Sequence, residues 1–210
     1  MPLEKIVIDR DRAWGIWQIR ENEAELSALL PTEQIPPSIH NSQKRCEHLS
    51  ARILVSEIMS ALGLSYQGIV KDDYGKPFLH AHPHQLSLSH SYPYVAALID
   101  SVASAGIDLE QPKQKLLRIA PRILHADELA DAGVDLLKHC IYWCAKETLI
   151  KVHGKKDLIF AENLLITPFS MKNEGDITGR IIVDHRETIV PLYYMLSPYF
   201  VMVFNKRATQ

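Results

Sequence analysis

Two long segments of helical apolar periodicity, each followed by a run of short strands, constrain the fold of this 210-residue chain most strongly. Between Ser38 and Leu62, Leu49, Ile53, Ser56 and Met59 recur at spacings of three and four, as on a helix that buries one side. Pro36 and Pro37 introduce that segment, and Gly63 supplies a suitable stop. Val134 to His153 repeats the pattern and is closed by Gly154. Behind the first helix lie strand candidates at Tyr66–Val70, Pro77–Leu79, Gln85–Ser89 and Tyr94–Ile99, separated by turn residues. Ala103–Glu110 is expected to pair with Tyr94–Ile99 as a hairpin through Asp100 and Ser101. Behind the second helix come Glu162–Ile166, Gly179–Val183, Ile189–Leu196 and Tyr199–Phe204. Strands at Lys5–Ile8 and Trp14–Ile19 and shorter helices at Glu21–Leu30, Gln114–Ile123 and Asp127–Ala132 fill the remainder. The pattern predicts an α+β fold of two closely packed lobes, residues 1–103 and 104–210. Each is a helix on an antiparallel sheet, with a ligand cleft between them. The halves are not visibly alike in sequence, so the repeat is structural in character.

The composition narrows the function. A formal net charge of −2 argues against binding nucleic acid through bulk charge. No apolar run approaches the ~20 residues needed to cross a bilayer, and the N-terminal stretch lacks the apolar core of a signal peptide. Three cysteines, Cys46, Cys140 and Cys144, are an odd number and suit reduced thiols in a cytoplasmic protein.

Chemistry is suggested by two short segments. In Gly106-Ile-Asp108-Leu-Glu110 the two carboxylates lie two residues apart. On a strand they share a face, with Cα atoms ~6.6 Å apart, and Ile107 and Leu109 take the other. The expectation is that the apolar face goes to the core and leaves the carboxylates on the second. Hard oxygen ligands of this kind suit Mg²⁺. In Trp143-Cys-Ala-Lys-Glu147-Thr-Leu-Ile-Lys151, residues 143, 147 and 151 stack along one helix face. Leu137, Ile141, Cys144 and Thr148 form a second stripe assigned to the core. Taken singly, Asp108 and Glu110 read as a strand end turning polar, and Glu147 with Lys151 as a surface ion pair worth ~0.3–0.5 kcal/mol. Trp143 marks their face as packed against something.

Cationic and hydrogen-bonding groups lie upstream. Tyr74-Gly75-Lys76-Pro77 reads as a turn presenting Lys76. Ser87-Leu-Ser89-His90-Ser91 places hydroxyls and an imidazole at a strand end, where they suit phosphate oxygens. Arg45 and Arg52 lie two turns apart on one helix face. Each alone reads as solvated surface. The alternating His80, His82 and His84 read as an exposed loop rather than a metal site, since Pro83 interrupts regular pairing. Cys140 and Cys144, one turn apart, read as buried thiols.

In this order the segments resemble the 4′-phosphopantetheinyl transferase superfamily, in its larger two-lobed bacterial type, over residues 44–151. The resemblance implies two lobes related by a pseudo-two-fold axis, a monomer, and an active site in the cleft. It implies transfer of the phosphopantetheine arm of coenzyme A to a serine of an apo acyl or peptidyl carrier protein, releasing adenosine 3′,5′-bisphosphate. On the matching positions, Asp108, Glu110 and Glu147 would hold Mg²⁺ in the C-terminal lobe, and Glu147 would also help deprotonate the serine. Lys151 would contact the phosphates and assist the leaving group. Lys76, Ser89 and His90 would bind coenzyme A phosphates from the N-terminal lobe, with His90 counted among the catalytic groups. Arg45 and Arg52 match the family's basic helix near the nucleotide. In Arg122–Glu128, the region associated with the carrier protein, Leu124 stands where phenylalanine is common. Glu128 fits an accessory glutamate there, or an acid at a helix start. A coenzyme A or carrier-binding module without turnover is the alternative that the same residues allow.

Overall fold

The computed structural model describes residues 3–155 and 157–207, and the chain divides into two compact units, Met1–Ala105 and Gly106–Gln210. Both are mixtures of helix and antiparallel sheet, as the sequence periodicity predicts.

The first unit runs β1 (Leu3–Asp9), β2 (Arg12–Gln18), α1 (Glu23–Leu29), α2 (Ser42–Ala61), β3 (Ile69–Lys71), β4 (Pro77–Leu79), β5 (Gln85–Ser91) and β6 (Tyr94–Asp100). Its six strands form one antiparallel sheet in the order β1-β2-β6-β5-β4-β3. The long helix α2 packs on β2 and β6. Leu49, Leu54, Val55, Ile58 and Met59 are fully buried there against Ala13, Leu86, Val95 and Ala97. The helix starts at Ser42 rather than Ser38, because Asn41 is the cap: its side-chain oxygen accepts from the Lys44 amide at 3.0 Å. Helix α1 begins with a reciprocal cap between Asn22 and Glu25.

The second unit runs β7 (Ile107–Glu110), α3 (Lys115–Ile123), α4 (Ala126–Ala132), α5 (Leu136–His153), α6 (Phe160–Asn163), β8 (Leu164–Ile166), β9 (Glu174–Val183), β10 (Arg186–Leu196) and β11 (Val201–Asn205). Its sheet has the order β7-β11-β10-β9-β8, again antiparallel. Helix α5 packs on β11 and β7 and reaches β8 and β9, burying Ile141, Cys144, Ala145 and Leu149. It starts at an Asp135 cap and stops at Gly154, whose φ of 83° is the left-handed conformation that glycine adopts without a Cβ penalty.

Some expected elements differ, the strand expected at Tyr66–Val70 being only Ile69–Lys71. The hairpin of Tyr94–Ile99 with Ala103–Glu110 does not form. Asp100 accepts from the amides of Val102 and Ala103 at 2.9 and 2.8 Å, turning the chain out of the first sheet. The carboxylate strand β7 then pairs with β11 in the second sheet. The strand expected at Glu162–Ile166 is shorter, because Phe160–Asn163 is a helical turn.

Candidate active site

The site in the second unit rests on a close approach between α5 and the start of β7. A Cβ on Gly106 would meet the Thr148 carbonyl oxygen and Val152 Cγ2, each at 2.6 Å, so only glycine admits the helix this near. The approach is held by hydrogen bonds. Gly106 donates to Asn205 Oδ1 at 2.9 Å, and the Asn205 amide donates to the Gly106 carbonyl at 3.1 Å. The Thr148 hydroxyl donates to the Val203 carbonyl at 3.1 Å. The Cys144 and Cys140 thiols lie 3.7 and 3.8 Å from the carbonyls of Val201 and Glu110. Each is a weak donor, and both cysteines are buried and reduced, as expected.

This packing carries Lys151, in the last turn of α5, onto β7. Its ammonium donates to the Ile107 carbonyl at 2.7 Å and to Asp108 Oδ1 at 2.8 Å. Glu147, one turn earlier, is half-buried, and its carboxyl is pushed up to about 7. Burial is the main cause. The charges of Asp108 and Glu110 push the same way, and that of Lys151 opposes them. The field at Glu147 therefore registers Asp108, Glu110 and Lys151 together, and these four side chains are the group that the tertiary structure assembles.

The apolar face of β7 goes to the core as alternation predicts, and the carboxylate face is largely covered as well. Asp108 is 5% exposed, Glu110 half-buried, and Ile107 and Leu109 fully buried. Leu137, assigned to the core stripe of α5, is 38% exposed because it falls in the first turn, outside the packed length. Trp143 is packed as its position predicts, stacked on Phe160 with ring centroids 5.7 Å apart.

Among the described residues, no group of three or more His, Cys, Asp or Glu side chains is drawn into a metal-ligand cluster. The donor chemistry nonetheless suits a hard divalent cation, being two carboxylates, Asp108 and Glu110, near the half-buried Glu147. Burial raises Glu147 most, and the smaller part due to repulsion from Asp108 and Glu110 is of the kind that a bound cation relieves.

Glu128 is an acid at a helix start, the alternative its sequence position allows, and it is buried. It is 2% exposed and pairs with the fully buried ammonium of Lys146 at 2.7 Å. Its oxygens also accept from the Ile166 and His125 amides, both at 2.7 Å. Lys146 donates further to the Phe160 carbonyl at 2.9 Å. Burial lowers the Lys146 ammonium from its ordinary value, and the charge of Glu128 opposes the effect. Together with the Trp143–Phe160 stack, this pair fixes α4, α6 and β8 to the flank of α5. The signal for Lys146 was its spacing, since it stands on the same stripe as the buried Tyr142 and Leu149. A charged residue there requires a buried partner.

The remaining named residues lie in the first unit. Lys76 sits in the β3–β4 turn beyond Gly75, its amide donating to Asp72 Oδ1 at 2.8 Å and its ammonium 5.9 Å from the Phe78 ring centroid. Ser89 is buried on β5, and His90, next along, is exposed with Nδ1 3.3 Å from Glu47 Oε2. Arg45 makes a two-pronged pair with Glu23, both contacts at 2.6 Å. Arg52 is buried, donating to Glu33 at 2.6 Å and to the His48 carbonyl at 3.2 Å, and Tyr66 donates to the second Glu33 oxygen. Both guanidinium groups thus tie α2 to the segments before it. His82 Nε2 lies 2.9 Å from the Ser65 carbonyl, within a connecting turn.

Residues 104–189, which contain β7, α5 and all four assembled side chains, match the family model described as the 4′-phosphopantetheinyl transferase superfamily. The stretch that carries β7 and α5 is thus similar to that superfamily. A relative, the 4′-phosphopantetheinyl transferase psf-1 of Bacillus pumilus, is 32% identical over 139 residues. That similarity covers 63% of this chain and 58% of the relative, so the chain spans little more than half the relative's length. The α+β architecture of helices on antiparallel sheets is consistent with that family's fold.

Proposed function

We propose that this protein is a 4′-phosphopantetheinyl transferase of the type that converts apo carrier proteins to their holo form. In this reading it moves the phosphopantetheine arm of coenzyme A to a carrier serine in a Mg²⁺-dependent reaction. The observation that carries the reading is the Lys151–Asp108 contact between α5 and β7, with Glu147 one turn away on α5 and within the field of Asp108 and Glu110. A serine hydroxyl is a poor nucleophile and needs a base whose pKa lies near the working pH. In the metal-free protein Glu147, at about 7, meets that requirement, and a bound cation would lower it.

The bond that forms joins serine Oγ to the phosphorus bearing the pantetheine arm. The bond that breaks joins that phosphorus to the bridging oxygen of the pyrophosphate, and adenosine 3′,5′-bisphosphate leaves. The serine proton passes to Glu147, directly or through a water. Mg²⁺, held by Asp108, Glu110 and Glu147, would supply charge neutralisation at the pyrophosphate. Lys151 assists by offsetting charge on the leaving phosphate. Lys76, Ser89 and His90 are assigned to the coenzyme A phosphates. For Arg45 and Arg52 the same role requires exchanging Glu23 and Glu33 for phosphate, which is easier for Arg45, the less buried of the two. The proposed partner is a carrier protein with an acidic surface: Lys115, Arg118 and Arg122 recur at three- and four-residue spacing on α3, and all are exposed. Monomeric, cytoplasmic protein is the proposed form. Among the described residues, no helix is long and apolar enough to cross a membrane.

Incubation with several apo carrier proteins, coenzyme A and Mg²⁺ tests the reading by mass spectrometry. Addition of phosphopantetheine with equimolar adenosine 3′,5′-bisphosphate is expected. Tight coenzyme A binding with no addition to any carrier would instead mark a binding module.

A further inference from the structure

Lys151 occupies one of the carboxylates assigned to the cation. Its ammonium sits 2.8 Å from Asp108 Oδ1 and 2.7 Å from the Ile107 carbonyl, at a carboxylate that is 5% exposed. The placement is held from both sides. Gly106 fixes the approach of α5, and the C-terminal end of that helix favours a cation in its last turn. A divalent cation and a contacting ammonium repel each other strongly if they share Asp108 in such a buried setting.

We infer that Lys151 is the resident counter-cation of the carboxylate site, holding Asp108 in the metal-free protein and surrendering it when a divalent cation binds. The inference rests on the carboxylate-site reading above and adds an order of events to it. When the cation takes Asp108, the Lys151 ammonium is released from that carboxylate, so loading of the cation frees the positive charge that the leaving group needs. The metal-free protein keeps that lysine sequestered. By linkage, the same exchange weakens the cation's apparent affinity by the fraction of molecules in which Asp108 is accessible.

The test uses the full chain without coenzyme A, with Mn²⁺ as the probe. Mn²⁺ binding is measured by electron paramagnetic resonance, and acylation of Lys151 by a brief acetic anhydride pulse is read by mass spectrometry. Mn²⁺ is expected to raise Lys151 acylation several-fold while the other lysines hold steady. Lys151→Gln is expected to bind Mn²⁺ more tightly, by about tenfold if Lys151 holds Asp108 in about nine molecules of ten. Mn²⁺ binding with Lys151 acylation unchanged or reduced would overturn the exchange and leave the metal site standing. So would binding to Lys151→Gln no tighter than to the parent. Failure of both proteins to bind Mn²⁺ at millimolar concentration would overturn the carboxylate-site reading, and the exchange with it. The acylation measurement needs no variant, so it stands even if Lys151→Gln folds poorly.

Discussion

Gly106→Ala is the smallest change that separates helix packing from site chemistry. The added methyl would sit 2.6 Å from a backbone carbonyl oxygen and 2.6 Å from a valine methyl, about 0.8 Å inside the 3.4 Å at which ordinary contact begins. The Thr148 carbonyl belongs to the helix backbone and cannot rotate away, so α5 itself must move, by roughly the same amount. Overpacking of this kind costs about 1–3 kcal/mol. The consequence for chemistry is larger in proportion, because Thr148 lies between Glu147 and Lys151 on the displaced turn. A misplacement of about 1 Å at reacting groups is worth about 10²-fold in rate. The expected result is a lower urea midpoint together with a fall of about 10²-fold in kcat/KM for carrier modification, carried mainly by kcat. Wild-type turnover in a folded Gly106→Ala protein would refute the argument that this close approach sets the site. Loss of activity without loss of stability would refute the overpacking calculation.

The other predictions address charge. Glu147→Gln should lower kcat by about 10²–10⁴-fold with coenzyme A affinity little changed. A selective loss of coenzyme A affinity, measured calorimetrically, would rule out the base assignment. In the metal-free protein the raised Glu147 pKa makes the folded state bind more protons than the unfolded one between the ordinary carboxylate range and about pH 7. Its contribution to stability is therefore present at low pH and lost as pH rises through about 7. Urea titrations of wild type and Glu147→Gln should diverge across that window, and parallel curves would contradict the burial argument. Lys146→Met should cost about 3–5 kcal/mol in unfolding free energy by leaving Glu128 buried without its cation, and Lys146→Met with Glu128→Leu should cost less. A double variant worse than either single change would count against a simple ion pair. Charge reversal of Arg118 and Arg122 should raise KM for an acidic carrier and spare coenzyme A binding, an effect that added salt should diminish.

Much of the architecture was readable because it rests on local pattern. Apolar spacing placed α2 and α5 to within a few residues, and Gly63 and Gly154 marked their ends. The misplaced pieces were those whose partners lie far along the chain. β7 was expected to pair with its neighbour in sequence, but it pairs with β11, nearly a hundred residues on. Glu128 reads in sequence as an accessory glutamate or an acid at a helix start, and it is the latter, closing a cap with His125. Its Lys146 partner comes from another helix, and no local spacing relates the two.

The sequence by itself determined the inventory: which carboxylates share a strand face, which lysine follows Glu147 by one turn, and which residues lie on the strands and helices that carry them. Periodicity fixes those relations within one element, since a strand repeats every two residues and a helix every 3.6. Only the tertiary structure decided what the inventory does at the site. It folded the carboxylate strand against α5 rather than leaving it open to solvent, and it moved Glu147 to about 7. It also set the Lys151 ammonium on Asp108. Each of these depends on the distance between two elements, and here that distance is set by the missing side chain of Gly106.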